Sequence, residues 1–471
     1  MQWAVITENN ELHPELRTLS SKAAFGWRYV YPDDPYAQLI FDRVKDVTNS
    51  GRGYMAGIYE QSLNNPTPVL NDILTGNTNG LIMEILFYKA RNYQPLLANA
   101  QVTTSSGTPA GGGNVIVAPM PSMPADNGGT SGTTTESTQP IDVAVTAPPP
   151  EPQATASSAP PEPALAAAPN QSAAPRAIAI SAIPPVGPPK AGQCPIPQQA
   201  LGIRDESYAR NAWQYFKANY HDTGLVDDRS DMRGATLWGL GDYLAALHAA
   251  HALGTIDHTL FDQRVRHLLG GLQEMPLFAG ELPHRANNTL SLDPIDYGGN
   301  RQPEGNGWSG LDVGRMLSAL HTLKTCHPEY TEAVDAIALD WSYLRVARNG
   351  TLGRANIEQD DRGRDRIRVH PSNLLGYEEY AARGFQLWGF DMHQAAAGGD
   401  YETDNVEGEA IPVQRKNRRG PQADTLNTTS TPFILYGLEY GFDPVMQDHI
   451  RAMFKAEAKR YERTGKFSAS G

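Results

Sequence analysis

The chain is 471 residues long, enough for two or three ordinary domains, or for one large domain and a linker. A formal charge of −13 argues against a nucleic-acid partner, which needs a basic face to neutralise phosphates. No apolar run approaches the roughly 18 residues of a membrane span, and the opening MQWAVITENN has neither the basic nor the apolar part of a signal peptide.

Residues 1–98 have the mixed composition of a folded segment. TLSSKAAFGWRYV predicts a helix over 18–30 that packs through Ala23, Ala24 and Trp27. Pro35, tolerated in a first turn, opens another over 35–49. GYMAGIYE (53–60) reads as a short aromatic loop, and 74–91 ends in an apolar helix through Ile82, Ile85, Leu86 and Tyr88. Residues 99–202 differ: runs such as TSGTTTESTQP and VTAPPPEPQATASSAPPEP hold few charges and no aromatics. Such a segment buries too little apolar surface to offset its ordering entropy, so it is expected to be a disordered, partly polyproline-II tether. Ordinary composition returns at about 203. Tyr208, Ala212, Tyr215 and Phe216 predict a helix over 205–219 with Asp205 as N-cap. Leu237, Gly241, Leu244, Leu247 and His251 form one stripe over 234–253, closed by Gly254. Further helical patterns cover 258–273, 309–325, 331–347, 371–388, 430–440 and 444–463, with long polar loops at 275–307 and 350–370. The two cysteines, Cys194 and Cys326, are too few for a disulfide framework or a multi-cysteine zinc site. They read as a linker thiol and a buried helix-end thiol, with a single pairing as the alternative.

Strand-type alternation is scarce, so the expected fold class is all-α. Neither segment alone carries enough helices to bury a core. Together they supply eleven or twelve, and twelve is the count of an (α/α)6 toroid of helical hairpins. The expected architecture is one toroid assembled from 1–98 and 203–471, joined by the long disordered linker.

Several long motifs resemble a bacterial family known as domain of unknown function 3131. AWQYFKANYHDTGLVDDR, TLWGLGDYLAALHAA, MPLFAGELPHRANNTL, NGWSGLDVGRMLSALHTL, YAARGFQLWGFD and EGEAIPVQRKN resemble the opening of such a domain. LSSKAAFGWRYVYPDDPYAQLIFDRV and GYMAGIYE…LTGNTNGLIMEILFYKAR resemble its closing part. Here the closing part comes first. The resemblance implies a six-hairpin glycosidase-like toroid and a periplasmic or secreted envelope protein, and it carries over no catalytic residue. The order of the parts fits an internal piece of a tandem-domain protein or a circular permutant.

Toroids that cut glycans use two carboxylates flanking the sugar, about 6.5–9.5 Å apart for inversion. The loop 280–312 offers Glu281, Asp296 and Glu304 as catalytic candidates, with Asp293 nearby. His284, Tyr297, Trp308 and Asp312 there, with Glu378 and Trp388 from YEEYAARGFQLWGF, are the substrate-binding candidates. Turn and helix-cap roles compete for Asp293 and Asp312. Adjacent Glu378 and Glu379 diverge by about 100° on a helix, so at most one faces a cavity. The acidic stretch 400–410, with Glu402, Asp404, Glu407 and Glu409, reads as a solvated loop. DDRSD (227–231) resembles the metal motif of isoprenoid synthases but follows a turn, which accounts for it. No GxSxG elbow, P-loop or HExxH motif is present, nor a GxGxxG that opens a helix after a strand, and no cofactor or metal is expected. The first expectation is a glycoside hydrolase or transglycosylase acting on a polysaccharide. The second is a non-catalytic glycan-binding or scaffolding module on the same fold.

Overall fold

Short polar residues start most of the helices. Ser20, Asp34, Thr75, Thr236, Asp257, Ser309 and Asp443 each accept a backbone N–H of the following first turn. In the computed structural model of the chain, the described residues are 5–6, 12–13, 17–97, 194–360, 362–372, 374–397, 401–414 and 428–469. The helices follow in pairs: α1 (Ser21–Val30) with α2 (Pro35–Val44), and α3 (Gly76–Ala90) with α4 (Ile203–Ala218). Next come α5 (Leu237–Ala252) with α6 (His258–Glu274), and α7 (Gly310–Cys326) with α8 (Thr331–Asp340). Last are α9 (Tyr377–Gln386) with the one-turn α10 (His393–Ala396), and α11 (Thr431–Tyr440) with α12 (Pro444–Thr464).

The first member of each pair packs on the first member of the next. α1 touches α3, then α3 touches α5, α5 touches α7, α7 touches α9, α9 touches α11, and α11 returns to α1. α3 and α5 are buried almost all round, as helices enclosed by neighbours must be. The two ends of the chain share one compact unit. Trp27 Nε1 donates to Glu457 at 2.8 Å, the Tyr36 hydroxyl donates to the Ser468 carbonyl at 2.7 Å, and Arg460 pairs with Glu60 at 3.0 Å.

The all-α assignment is overturned, because the described residues are about 48% helix and 18% strand. Strands Thr18–Ser20, Met55–Tyr59 and Leu70–Leu74 form one antiparallel sheet. Thr351–Gln359 pairs with Asp365–Pro371, and Tyr401–Val406 with Glu409–Gln414. GYMAGIYE is therefore strand rather than loop. Gly57 is required there, since a Cβ would lie 2.3 Å from the Leu19 carbonyl oxygen. The 351–371 hairpin escaped a sequence reading because its second strand keeps Arg366, Ile367, Arg368 and Val369 exposed, leaving no apolar stripe to mark it.

Other corrections are local. α4 begins at Ile203 rather than at Asp205, whose carboxylate instead takes the Tyr29 hydroxyl at 2.5 Å and Lys89 at 2.6 Å. α8 stops at Asp340 and α9 starts at Tyr377. The tether expected over 99–202 lies outside the described residues up to 193. From 194 onward the chain is laid against α3, with the Gln198 and Gln199 N–H groups on the Ala90 carbonyl at 2.7 and 3.0 Å. Cys194 and Cys326 are joined in a disulfide rather than standing as separate thiols. Among the described residues, no helix is long and apolar enough to cross a membrane.

Candidate functional site

The first turns of successive ring helices bring polar side chains together. Lys22 of α1 donates to Asn77 Oδ1 of α3 at 2.5 Å, and Asn77 Nδ2 donates to Asp242 Oδ2 of α5 at 2.9 Å. Trp238 of α5 meets Tyr377 of α9 edge-on, with centroids 5.1 Å apart. The Tyr377 hydroxyl is hydrogen-bonded to Thr429, just ahead of α11. Asp228 precedes α5, and its Oδ2 accepts the Thr236 N–H at 2.8 Å and the Thr236 hydroxyl at 2.7 Å. A Cβ on Gly239 would lie 1.7 Å from Asp228 Oδ1, so this carboxylate fits only because position 239 is glycine. Lys22, Asn77, Asp228, Trp238, Asp312 and Tyr377 all keep part of their surface open to solvent.

These groups are nevertheless set deeply, and their acidities show it. Burial pushes the Asp228 carboxyl up to about 7. The Thr236 hydrogen bonds oppose that rise, while the nearby Asp242 and Asp312 charges add to it. Burial likewise lifts Asp312 to about 7, against the pull of Arg285 and a hydrogen bond from Ser309. Asp242 is raised by burial despite Arg315, and burial lowers the Lys22 ammonium to about 8. Two recessed carboxyls lifted by burial to about 7 are the elements of acid–base chemistry.

Beneath this cluster Arg315 of α7 ties the ring together. The fully buried guanidinium reaches Glu84 of α3 at 2.6 Å, Asp242 of α5 at 2.8 Å, Glu439 of α11 at 2.6 Å and the Tyr380 hydroxyl of α9 at 2.6 Å. Glu84 and Glu439 also share a hydrogen bond, which requires a proton on one of them. Burial raises the Glu84 carboxyl well above the usual range, against the pull of Arg315. Asp242 joins the two layers, taking Arg315 on Oδ1 and Asn77 on Oδ2.

The residues singled out from sequence are distributed differently. Glu281 is held by Arg345 at 2.7 and 2.8 Å and by Trp308 Nε1 at 3.0 Å, an ion pair that fixes a loop. Asp296 accepts the Gly298 and Asn300 N–H groups at 2.9 and 2.8 Å, so it organises a turn, and hydrogen bonds, first that from the Asn300 side chain, hold its carboxyl below the usual carboxylate range. Glu304 is exposed. His284 is buried against Phe278, with its Nδ1 taking the Asn306 N–H, and Trp308 is a core residue with no exposed surface. Tyr297 is about half exposed and bonded to Arg285. Asp293 pairs with Ser291 and Arg301. Glu378 and Glu379 are both buried. Burial lifts Glu378 to about 8 and Glu379 to about 7, and Glu379 takes the Gly376 N–H at 2.6 Å as a helix cap. Trp388 donates to the Leu317 carbonyl and lies under Lys324, toward the far end of α7 from Asp312. The acidic stretch 401–414 is a hairpin, with Glu407 on Arg463 and Glu409 on Lys459. Only Asp312 of the named candidates joins the recessed cluster.

Sequence reasoning missed Lys22, Asn77, Asp228, Trp238, Asp242 and Tyr377. The available signal was positional: all but Asp228 lie in the first two turns of a ring helix, and Asp228 is bonded to the cap residue of one. In DDRSD the three acids go separate ways. Asp227 takes Arg233 and Thr289, Asp228 takes Thr236, and Asp231 takes Arg229.

The family model described as Protein of unknown function (DUF3131) matches residues 1–92 and 207–471, and the chain belongs to that family. No curated protein and no solved structure matches the chain.

Proposed function

We propose that this DUF3131 protein is a carbohydrate-active envelope protein, cleaving or transferring glycosidic bonds of an extracellular or periplasmic polysaccharide through Asp228 and Asp312. The observation that carries this reading is the pair itself: two recessed carboxyls, each with part of its surface open to solvent, that burial lifts to about 7 and that lie close enough for the Asp312 charge to act on Asp228. Paired carboxylates are what glycosidic cleavage requires, one to protonate the leaving oxygen and one to activate water or attack the sugar. Asp228, whose Oδ2 already accepts two hydrogen bonds, suits the ionised role, and Asp312 suits the acid. Trp238 and Tyr377 offer the apolar faces on which sugar rings stack, and Lys22 and Asn77 offer donors for hydroxyls or acidic groups. The Cys194–Cys326 disulfide supports an oxidising compartment.

Reducing-end release from a panel of neutral and acidic polysaccharides tests the proposal. Wild type should release sugar, and Asp312→Asn and Asp228→Asn should each lose about 10²–10⁴ of the rate. Glu281→Gln, whose carboxylate serves Arg345 and Trp308, should retain it. A panel on which wild type and both aspartate variants behave alike sinks the reading. One observation favours the non-catalytic alternative: Asp228 is also a structural acceptor for the α5 cap residue Thr236. Polysaccharide retardation in affinity gels that Trp238→Ala abolishes, without any sugar release, would select that binding module.

A further inference from the structure

At the opposite, C-terminal ends of α5 and α7 lies a second group of reactive side chains. Cys194, Cys326 and His248 each bring a ligating atom within 4.8 Å of the other two. His248 is 5% exposed, and its Nε2 is buried without a hydrogen-bond partner. Its other ring nitrogen, Nδ1, lies 3.0 Å from His327 Nε2, and His327 Nδ1 faces Glu329 Oε1 at 3.8 Å. The Glu329 carboxylate favours the N–H of His327 on Nδ1, which leaves His327 Nε2 an acceptor. The proton between the two rings therefore sits on His248 Nδ1, and His248 Nε2 presents a lone pair. A buried lone pair with nothing to accept is unfavourable unless a donor or a cation takes it.

We propose that reduction of the Cys194–Cys326 bond creates a site for a thiophilic divalent cation of the zinc class, with both sulfurs and His248 Nε2 as its ligands. A dithiol reductant supplies two electrons and two protons, the S–S bond breaks, and two thiols result. The cation then displaces the two thiol protons and binds two thiolates and a neutral imidazole, with water in a fourth position. Zinc–sulfur bonds of about 2.3 Å and zinc–nitrogen bonds of about 2.0 Å set tetrahedral ligand atoms roughly 3.5–4 Å apart, so the two sulfurs, bonded to each other in the disulfide, must move apart to that spacing while the three ligating atoms already lie within 4.8 Å of one another. The chain Glu329–His327–His248 matches the way proteins orient a metal-binding imidazole through its far nitrogen. Phe87 and Phe261 pack against these rings and keep the site apolar. Cys194 is only half-buried, which gives reductant and cation a path. In either redox state the site would hold the segment at 194 to the end of α7, once by a covalent bond and once by a metal.

The test uses the full chain, reduced with a phosphine, freed of reductant under nitrogen, and titrated with Co²⁺ as a spectroscopic probe. One equivalent should bind, with a thiolate-to-cobalt charge-transfer band and tetrahedral d–d absorption, and Zn²⁺ should displace it. His327→Ala should weaken Zn²⁺ binding about 10–100-fold, and Cys194→Ser should abolish the charge-transfer signal. The disulfide form should show neither band. The proposal is overturned if the reduced chain, with two titratable thiols and an unchanged far-ultraviolet dichroism spectrum, binds no cobalt. It is equally overturned if His248→Ala leaves the cobalt spectrum unaltered, or if reduction alone unfolds the chain.

Discussion

Replacing Arg315 with leucine tests the account of the ring most directly. The side chain has no exposed surface and serves Glu84, Asp242, Glu439 and Tyr380 on four other ring helices. Leucine fills part of the volume but leaves Asp242 and Glu439 without their buried cation. Removing one partner of a buried ion pair costs about 3–5 kcal/mol, because the remaining charge has nothing to compensate its lost hydration. Against a typical stability of roughly 5–15 kcal/mol, that is a large share. Lysine keeps the charge but cannot fork to three helices, so Arg315→Lys should fall between wild type and the leucine variant. Urea unfolding followed by dichroism gives the magnitude from the shift in midpoint at constant slope. The penalty should also be smaller at pH 5 than at pH 8, since orphaned carboxylates can then take up protons. A loss below about 1 kcal/mol at pH 8, with unchanged slope, would refute the view of Arg315 as the hub of the ring.

Other consequences are as specific. The Asp312 carboxyl is raised by burial to about 7, so its contribution to stability is present at low pH and is lost as pH rises through 7. Asp312→Asn should accordingly flatten the fall of stability between about pH 4 and 7, and an unchanged slope there would contradict the shift. Gly239→Ala places a methyl 1.7 Å from Asp228 Oδ1, so it should impair stability and any activity. In an Asp228→Ala background the same change should cost less, and a double-mutant cycle should show non-additivity of about 0.5–3 kcal/mol. Protease cleavage between residues 98 and 193 should leave the two segments co-eluting on size exclusion, since Trp27–Glu457, Tyr29–Asp205 and Glu84–Arg315 join them. Separation of the pieces would show those contacts to be too weak to hold the ring.

The helices were legible because their signals are local. Gly254 closes α5 with a positive φ of 67°, Pro35 opens α2, and the apolar residues Ile82, Ile85 and Leu86 mark α3. The cysteine pairing was not legible, since a sequence separation of 132 residues gives no local sign of it. The strands failed for the reason that helices succeeded: Met55–Tyr59 is defined by partners at 18–20 and 70–74, and not by its own pattern. The site was only partly visible. Asp312 stood out within a polar loop, whereas Lys22, Asn77 and Asp242 are ordinary until three helices from distant parts of the chain set them in one hydrogen-bonded line.

That line has a consequence for how the chain is organised. Lys22, Asn77 and Glu84 belong to residues 1–98, while Asp228, Asp242, Asp312 and Arg315 belong to 203–471. Asp242 is bonded across the divide to Asn77 and, on its other oxygen, to Arg315, which itself reaches back to Glu84. The segment 203–471 alone would therefore carry the carboxylates but lack Lys22 and the Asn77 donor, and Arg315 would lose one of its acidic partners. The acidities of Asp228 and Asp312 depend on burial within the closed ring, so opening it to water would return them toward ordinary aspartates. Closing the ring and tuning the carboxylates are thus one event, which is why a polar hub as costly as Arg315 with three acids is found directly beneath the recessed cluster.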